Sequence, residues 1–284
     1  MKKIAIICDS SVSFTQAEIE TFGVYIAPLT IIHNNTVYID QVTITENQVN
    51  DLLRNHEVVK TSQPNLGTIY ELFEKVMREG YDHIFALSIG TALSGTYSSM
   101  EMVKQDLKIE NMSVINTHSI TGPVQQAVAA IRKMNEEDYS VEQIEVYLDH
   151  FFSNQISYIY PQSLDQVIAS GRVSKTAAKV ASLLKIKPVL YLENKGESIE
   201  KLGVARSERR IFSLLVNDLV HHDVKPDTHD IYLLHSEGLD TLKRFQDFLT
   251  ESLGPFTIKI VNLPAAVATH AGIGTLALQW CYKI

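Results

Sequence analysis

Short apolar runs alternate along the first half of the chain with segments whose apolar positions recur every three or four residues. The runs at 4–8, 24–32, 83–87 and 113–116 have strand length, and the stretches at 66–78, 95–107 and 122–135 have helical period. Strand, helix, strand is the rhythm of an α/β unit in which helices cover a parallel sheet. The buried runs end in polar loops, Asp9-Ser10-Ser11, Ser88-Ile89-Gly90-Thr91 and Asn116-Thr117-His118-Ser119. Loops of that kind open together at the carboxyl edge of a parallel sheet, where such sheets bind ligands.

After a helical stretch at 141–152 the pattern changes. It gives a strand at 157–160, a helix at 175–184, and a hairpin of 189–193 and 198–202 around Asn194-Lys195-Gly196. A helix at 207–220, a strand at 230–235, a helix at 239–253 and strands at 257–261 and 274–280 follow. This reads as a second, α+β domain, with boundaries at 1–155 and 156–284. A chain of 284 residues is long enough for two cores and a cleft between them.

Composition narrows the classes of function. Hydrophobic residues at 45% and charged residues at 20% are ordinary for a folded protein. The net charge of −8 is spread among interspersed acids and bases, so no basic face is expected for a nucleic acid. Cys8 and Cys281 have no neighbours at metal-ligand spacing and read as buried thiols. His221-His222 joins no spaced ligand set, so neither a metal nor a cofactor is expected. The apolar stretch after Lys2-Lys3 stops at Asp9, short of the ~7 to 15 residues a signal peptide needs. Export is therefore not implied and a cytoplasmic location is expected. No apolar run approaches the ~20 residues that span a bilayer. Any lipid would be met in water or through transient contact with a membrane surface.

Two polar turns stand out. Residues 87–97 place Ser94, Gly95 and Thr96 where a strand gives way to a helix, so backbone amides, the helix dipole and two hydroxyls favour an anion there. Gly90 and Gly95 have the glycine spacing of a phosphate-binding loop, but Thr96-Tyr97 stands where Lys and Ser or Thr are required. Thr61-Ser62-Gln63-Pro64-Asn65 is the second turn, ahead of the helix at 66–78. Helix capping alone accounts for either turn. Together, two hydroxyl-rich helix starts suit a carboxylate held without an unpaired cation beside a buried alkyl chain. The competing reading is a serine hydrolase of acyl esters with Ser94 as nucleophile and His270 as base. Leu93-Ser94-Gly95 lacks the Gly-x-Ser-x-Gly elbow of such enzymes.

Thr61-Ser62-Gln63-Pro64, Leu93-Ser94-Gly95-Thr96-Tyr97, Gly171-Arg172-Val173-Ser174, Ile186-Lys187-Pro188-Val189-Leu190 and His270 before Gly272 occur in this order. Together they resemble the signature of the DegV family, whose members include the fatty-acid-binding subunits of bacterial fatty acid kinase. The resemblance implies an α/β fold: an N-terminal three-layer α/β/α domain with a mainly parallel sheet, and a C-terminal two-layer α+β domain with a mixed sheet. It further implies a non-catalytic protein that buries a long-chain fatty acid in a tunnel. The carboxylate is then presented to a separate kinase catalytic subunit for acyl-phosphate formation, a step of phospholipid metabolism. By the same resemblance Thr61, Ser62, Ser94, Gly95 and His270 bind the fatty acid, and Arg172 and Arg206 face the head group or the partner. Gly272-Ile273-Gly274 departs from the Gly-Pro-Gly run frequent in the family. Affinity must come from the tail, at about 0.8 kcal/mol per buried methylene. Ile26, Leu29, Ile31, Phe73, Leu164, Ile168 and Leu263 are candidates for tunnel or ordinary core.

Overall fold

The computed structural model describes residues 1–178, 186–193 and 198–284. Four parallel strands form the first sheet: β1 (Ile4–Asp9), β2 (Val24–Ala27), β6 (His83–Ser88) and β7 (Met112–Asn116), in the order β2-β1-β6-β7. Every residue of β1 is buried, so the strand is apolar at each position rather than alternating. Ile4, Ile6 and Cys8 face α5 (Thr121–Glu136) and α6 (Val141–Ser153), packing with Val124, Val128, Ile131, Ile144 and Leu148. Ala5 and Ile7 face α3 (Leu66–Arg78) and α4 (Thr96–Asp106), against Ile69, Phe73, Met100 and Val103. These contacts make the three-layer α/β/α arrangement.

The run at 24–32 is not one strand. It breaks at Pro28-Leu29, and β3 (Thr30–His33) joins a separate antiparallel sheet with β4 (Thr36–Ile39) and β5 (Val59–Ser62), order β4-β3-β5. Proline has no amide proton to donate to a ladder, so the strand ends there. In the first half two short helices also lie outside the sequence expectation, α1 (Gln16–Phe22) and α2 (Glu46–Arg54). Each begins with a reciprocal capping box, Thr15 with Glu18 and Thr45 with Gln48.

The second half builds a mixed sheet from β8 (Ile156–Tyr160), β9 (Lys187–Glu193), β10 (Glu200–Ala205), β11 (His229–His235), β12 (Thr257–Asn262) and β13 (Leu276–Tyr282). Its order is β10-β9-β8-β13-β11-β12, antiparallel except for the β11–β12 pair. Beyond β8 come α7 (Asp165–Ala169) and α8 (Lys175–Ala178). The remainder of the helix expected at 175–184, and the turn at 194–196, lie outside the described residues. One sheet face carries α9 (Glu208–His221) and α10 (Leu239–Leu253), with Tyr158, Leu233 and Trp280 against Ile211, Leu215 and Phe245. The opposite face, through Tyr232, Leu234, Ala277 and Cys281, shares a core with α5 and α6. Both cysteines are buried and free.

Candidate functional site

A cavity lies between the carboxyl edge of the parallel sheet and the inner face of the mixed sheet. Including its open mouth it encloses ≈ 930 Å3 between atoms. Apolar walls come from Leu29, Ile89, Ile120, Ile159, Leu192 and Leu263. The edge is held open by polar loops that bond to one another. Asp9 accepts the amide of Ile89, and Ser10 Oγ accepts from Leu29 N while donating to Asp40 Oδ2 at 2.6 Å. Gly90 stands where a Cβ would meet the backbone of His118 at 2.9 Å, so only glycine lets these two loops approach. That contact is what the glycine serves, in place of a phosphate cradle.

Four of the expected residues meet at the mouth. Thr61, Ser94, Arg172 and His270 all line the cavity, and exposed Ser62 joins them. His270 is carried by α11 (Ala265–Ala271), a helix absent from the sequence expectation. Thr61 Oγ1 lies 2.5 Å from His270 Nε2, and Arg172 Nη1 lies 3.3 Å from the same nitrogen. Arg172 also donates from Nε to the Leu93 carbonyl and from Nη1 to that of Ser170. No carboxylate pairs with it among the described residues. Burial, and then the adjacent Arg172, pushes the His270 pKa down to about 4. The imidazole is therefore neutral at pH 7, and the mouth holds one net positive charge with neutral hydrogen-bonding groups around it.

The two hydroxyl turns differ from the expected helix starts. Thr61 is a strand residue, paired with Ile31 in the small sheet, and the cap of α3 is Asn65, whose side chain accepts from Gly67 N. Ser94 caps nothing: α4 begins after Gly95 with no side-chain capping bond, and Ser94 Oγ bonds to Thr96 Oγ1 at 2.9 Å. Gly95 is exposed beside Gln63 and does not line the cavity. Arg206 is exposed just past β10 and is not among the residues that line the cavity. A cation without a carboxylate partner among the described residues does sit at the apolar cavity, contrary to the expectation that hydroxyls replace one. No hydrogen bond joins Ser94 to His270, so the nucleophile and base of a hydrolase are not coupled. Of the tunnel candidates, Leu29 and Leu263 line the cavity, whereas Ile31 and Phe73 belong to the packed cores.

Residues 3–283 match the DegV family, whose description is of uncharacterised proteins. The chain belongs to the DegV family. A DegV domain-containing protein of Clostridium acetobutylicum is 27% identical over 282 residues, covering 98% of both chains. The same fold is found in a fatty-acid-binding DegV family protein of Streptococcus agalactiae, at 24% identity, full coverage of both chains and a TM-score of 0.90. A stearic-acid-binding protein of Eubacterium ventriosum shares the fold at 22% identity and a TM-score of 0.87, covering 100% of this chain and 99% of its own. In this DegV protein the Gly272 and Gly274 backbones take φ of +86° and +80°, a left-handed region open to glycine. That loop packs on Gln166 and Gln162, beside α7. Sequence reasoning missed Ser157 and Gln279, which line the cavity from inside the mixed sheet. The available signal was a polar residue at an inward position of an otherwise apolar strand. Among the described residues no cluster of three acidic, histidine or cysteine side chains is placed to hold a metal, and no helix is long and apolar enough to cross a membrane.

Proposed function

We infer that this chain binds one long-chain fatty acid, with the tail in the apolar cavity and the carboxylate at the mouth among Thr61, Ser94, His270 and Arg172. The observation that carries this is Arg172: a half-buried guanidinium without an acidic partner among the described residues, at the opening of a cavity whose walls are chiefly Leu, Ile, Val and Ala. A charge in that position is stabilised by a ligand that brings its own anion. An amphiphile with one carboxylate and a long alkyl tail matches both halves of the site. The proteins of the same fold described as binding fatty acids support the reading. A neutral His270 and the hydroxyls orient the head group, and the protein presents the carboxylate to a separate kinase subunit in the cytoplasm rather than transforming it. Arg206, exposed beyond β10, is available to that partner.

The test is denaturing extraction of protein purified from bacteria, followed by mass spectrometry. One fatty acid per chain is expected. Arg172→Ala is expected to lower retention more than about tenfold, whereas Lys201→Ala leaves it unchanged. Absence of extractable lipid, together with no binding on titration, removes the reading.

A further inference from the structure

Deep in the cavity the wall is not uniformly apolar. Gln279 and Ser157 pair across β13 and β8 on the inner sheet face, and both line the cavity while almost fully shielded from solvent. The orientation of the Gln279 amide is set by backbone groups. Its Oε1 accepts from Gly122 N at 3.1 Å, and its Nε2 donates to the Ile120 carbonyl at 3.1 Å. The same Nε2 therefore donates to Ser157 Oγ, at 2.8 Å, and cannot accept from it. Ser157 acts as an acceptor there, and its own hydroxyl proton has no acceptor among the described residues. Ile159, Leu192 and Ala277, which share this wall, provide none from their side chains.

The position lies farther along β13 from the helix that bears His270. Thr275 Oγ1 donates to the carbonyl of Ala271, on the helix that bears His270. Gln279 lies four residues farther along the chain, about 13 Å at the rise of an extended strand. A hydroxyl donor is thus fixed well along the cavity by an amide that is itself locked to α5. Buried donors of this kind are ordinarily paired.

We propose that the cavity takes an acyl chain bearing an acceptor oxygen, a hydroxyl or keto group, part-way along its length, with Ser157 Oγ–H as the donor that recognises it. This rests on the fatty acid reading above and names the substrate class within it. An unsubstituted chain leaves the Ser157 proton unpaired, whereas an oxygenated chain satisfies it and recovers a hydrogen bond for its own polar group.

The experiment uses the full chain stripped of lipid, with displacement of a fluorescent fatty acid by stearic acid and by a set of mid-chain hydroxystearic acids. At least one hydroxystearic acid is expected to bind as tightly as stearic acid or more so. Ser157→Ala is expected to lower the ratio of hydroxystearic to stearic affinity about fivefold to tenfold. Ser157→Thr, which keeps the hydroxyl, restores the ratio. An unchanged ratio in Ser157→Ala overturns the inference. So does rejection of every hydroxystearic acid by a wild-type protein that binds stearic acid, and in both cases the fatty acid reading survives. Binding of neither class removes that reading and this inference together.

Discussion

His270 takes up a proton only near pH 4, because burial and then Arg172 oppose a second positive charge. In the unfolded chain the same imidazole titrates near 6.5. As pH falls from about 6.5 to about 4, the unfolded state takes up a proton that the native state refuses, and stability is lost by up to about 1.4 kcal/mol per pH unit. In lipid-free protein, urea midpoints are therefore expected to fall more steeply over that window in wild type than in His270→Gln. Asp40 runs the other way. Burial raises its pKa to about 6, its Oδ1 has no hydrogen-bond partner among the described residues, and Asp9 lies close by. The native state then carries a cost above about pH 6 that is relieved as pH falls toward 3.8. Asp40→Asn is expected to stabilise the protein at pH 8, by no more than about 3 kcal/mol, and to lose that advantage near pH 4. Equal denaturation midpoints at pH 8 would sink this account of Asp40.

Helices and strands here depend on close approach as much as on apolar pattern. Helix α5 lies against the mixed sheet through Gly122, where a Cβ would come within 2.5 Å of the Tyr232 ring. A ring in a packed interface cannot swing aside, so Gly122→Ala is expected to cost about 1–3 kcal/mol, read as a lowered denaturant midpoint with the m-value unchanged. Elements with continuous apolar runs or strong helical period, such as β1, β6, α3 and α6, were legible in the sequence because burial on both faces or along one stripe writes itself into residue choice. The small sheet was not. In β4 Val37 is 65% exposed and Ile39 38% exposed, so no burial pattern distinguishes that strand from a loop. Helix α11 was equally hidden, since Ala265-Ala266-Val267-Ala268-Thr269-His270-Ala271 is small and buried on most sides rather than amphipathic. Thr61 and Ser94 were visible as hydroxyl turns, but whether a hydroxyl caps a helix or lines a cavity depends on neighbours brought from elsewhere in the chain. Asn65 took the capping role ahead of Thr61, and Ser94 turned to Thr96.

At the scale of the whole molecule the two halves share one interior. The core cluster that contains Ile6 and Phe85 of the parallel sheet also contains Tyr232, Leu234 and Cys281 of the mixed sheet. Neither half can separate without exposing that surface, so a single calorimetric transition is expected, with calorimetric and van't Hoff enthalpies in agreement. Two resolved transitions would show that the halves unfold independently. The mouth is assembled on the same principle, since Thr61 and His270 stand 209 positions apart along the chain. A polypeptide still emerging from the ribosome has no such opening until its last helix has docked. On the proposed fatty acid reading, lipid loads only onto finished molecules, and a loaded molecule is harder to unfold by an amount that grows with the logarithm of free lipid concentration. On that reading the thermal resistance of this protein inside a cell becomes a gauge of its lipid supply.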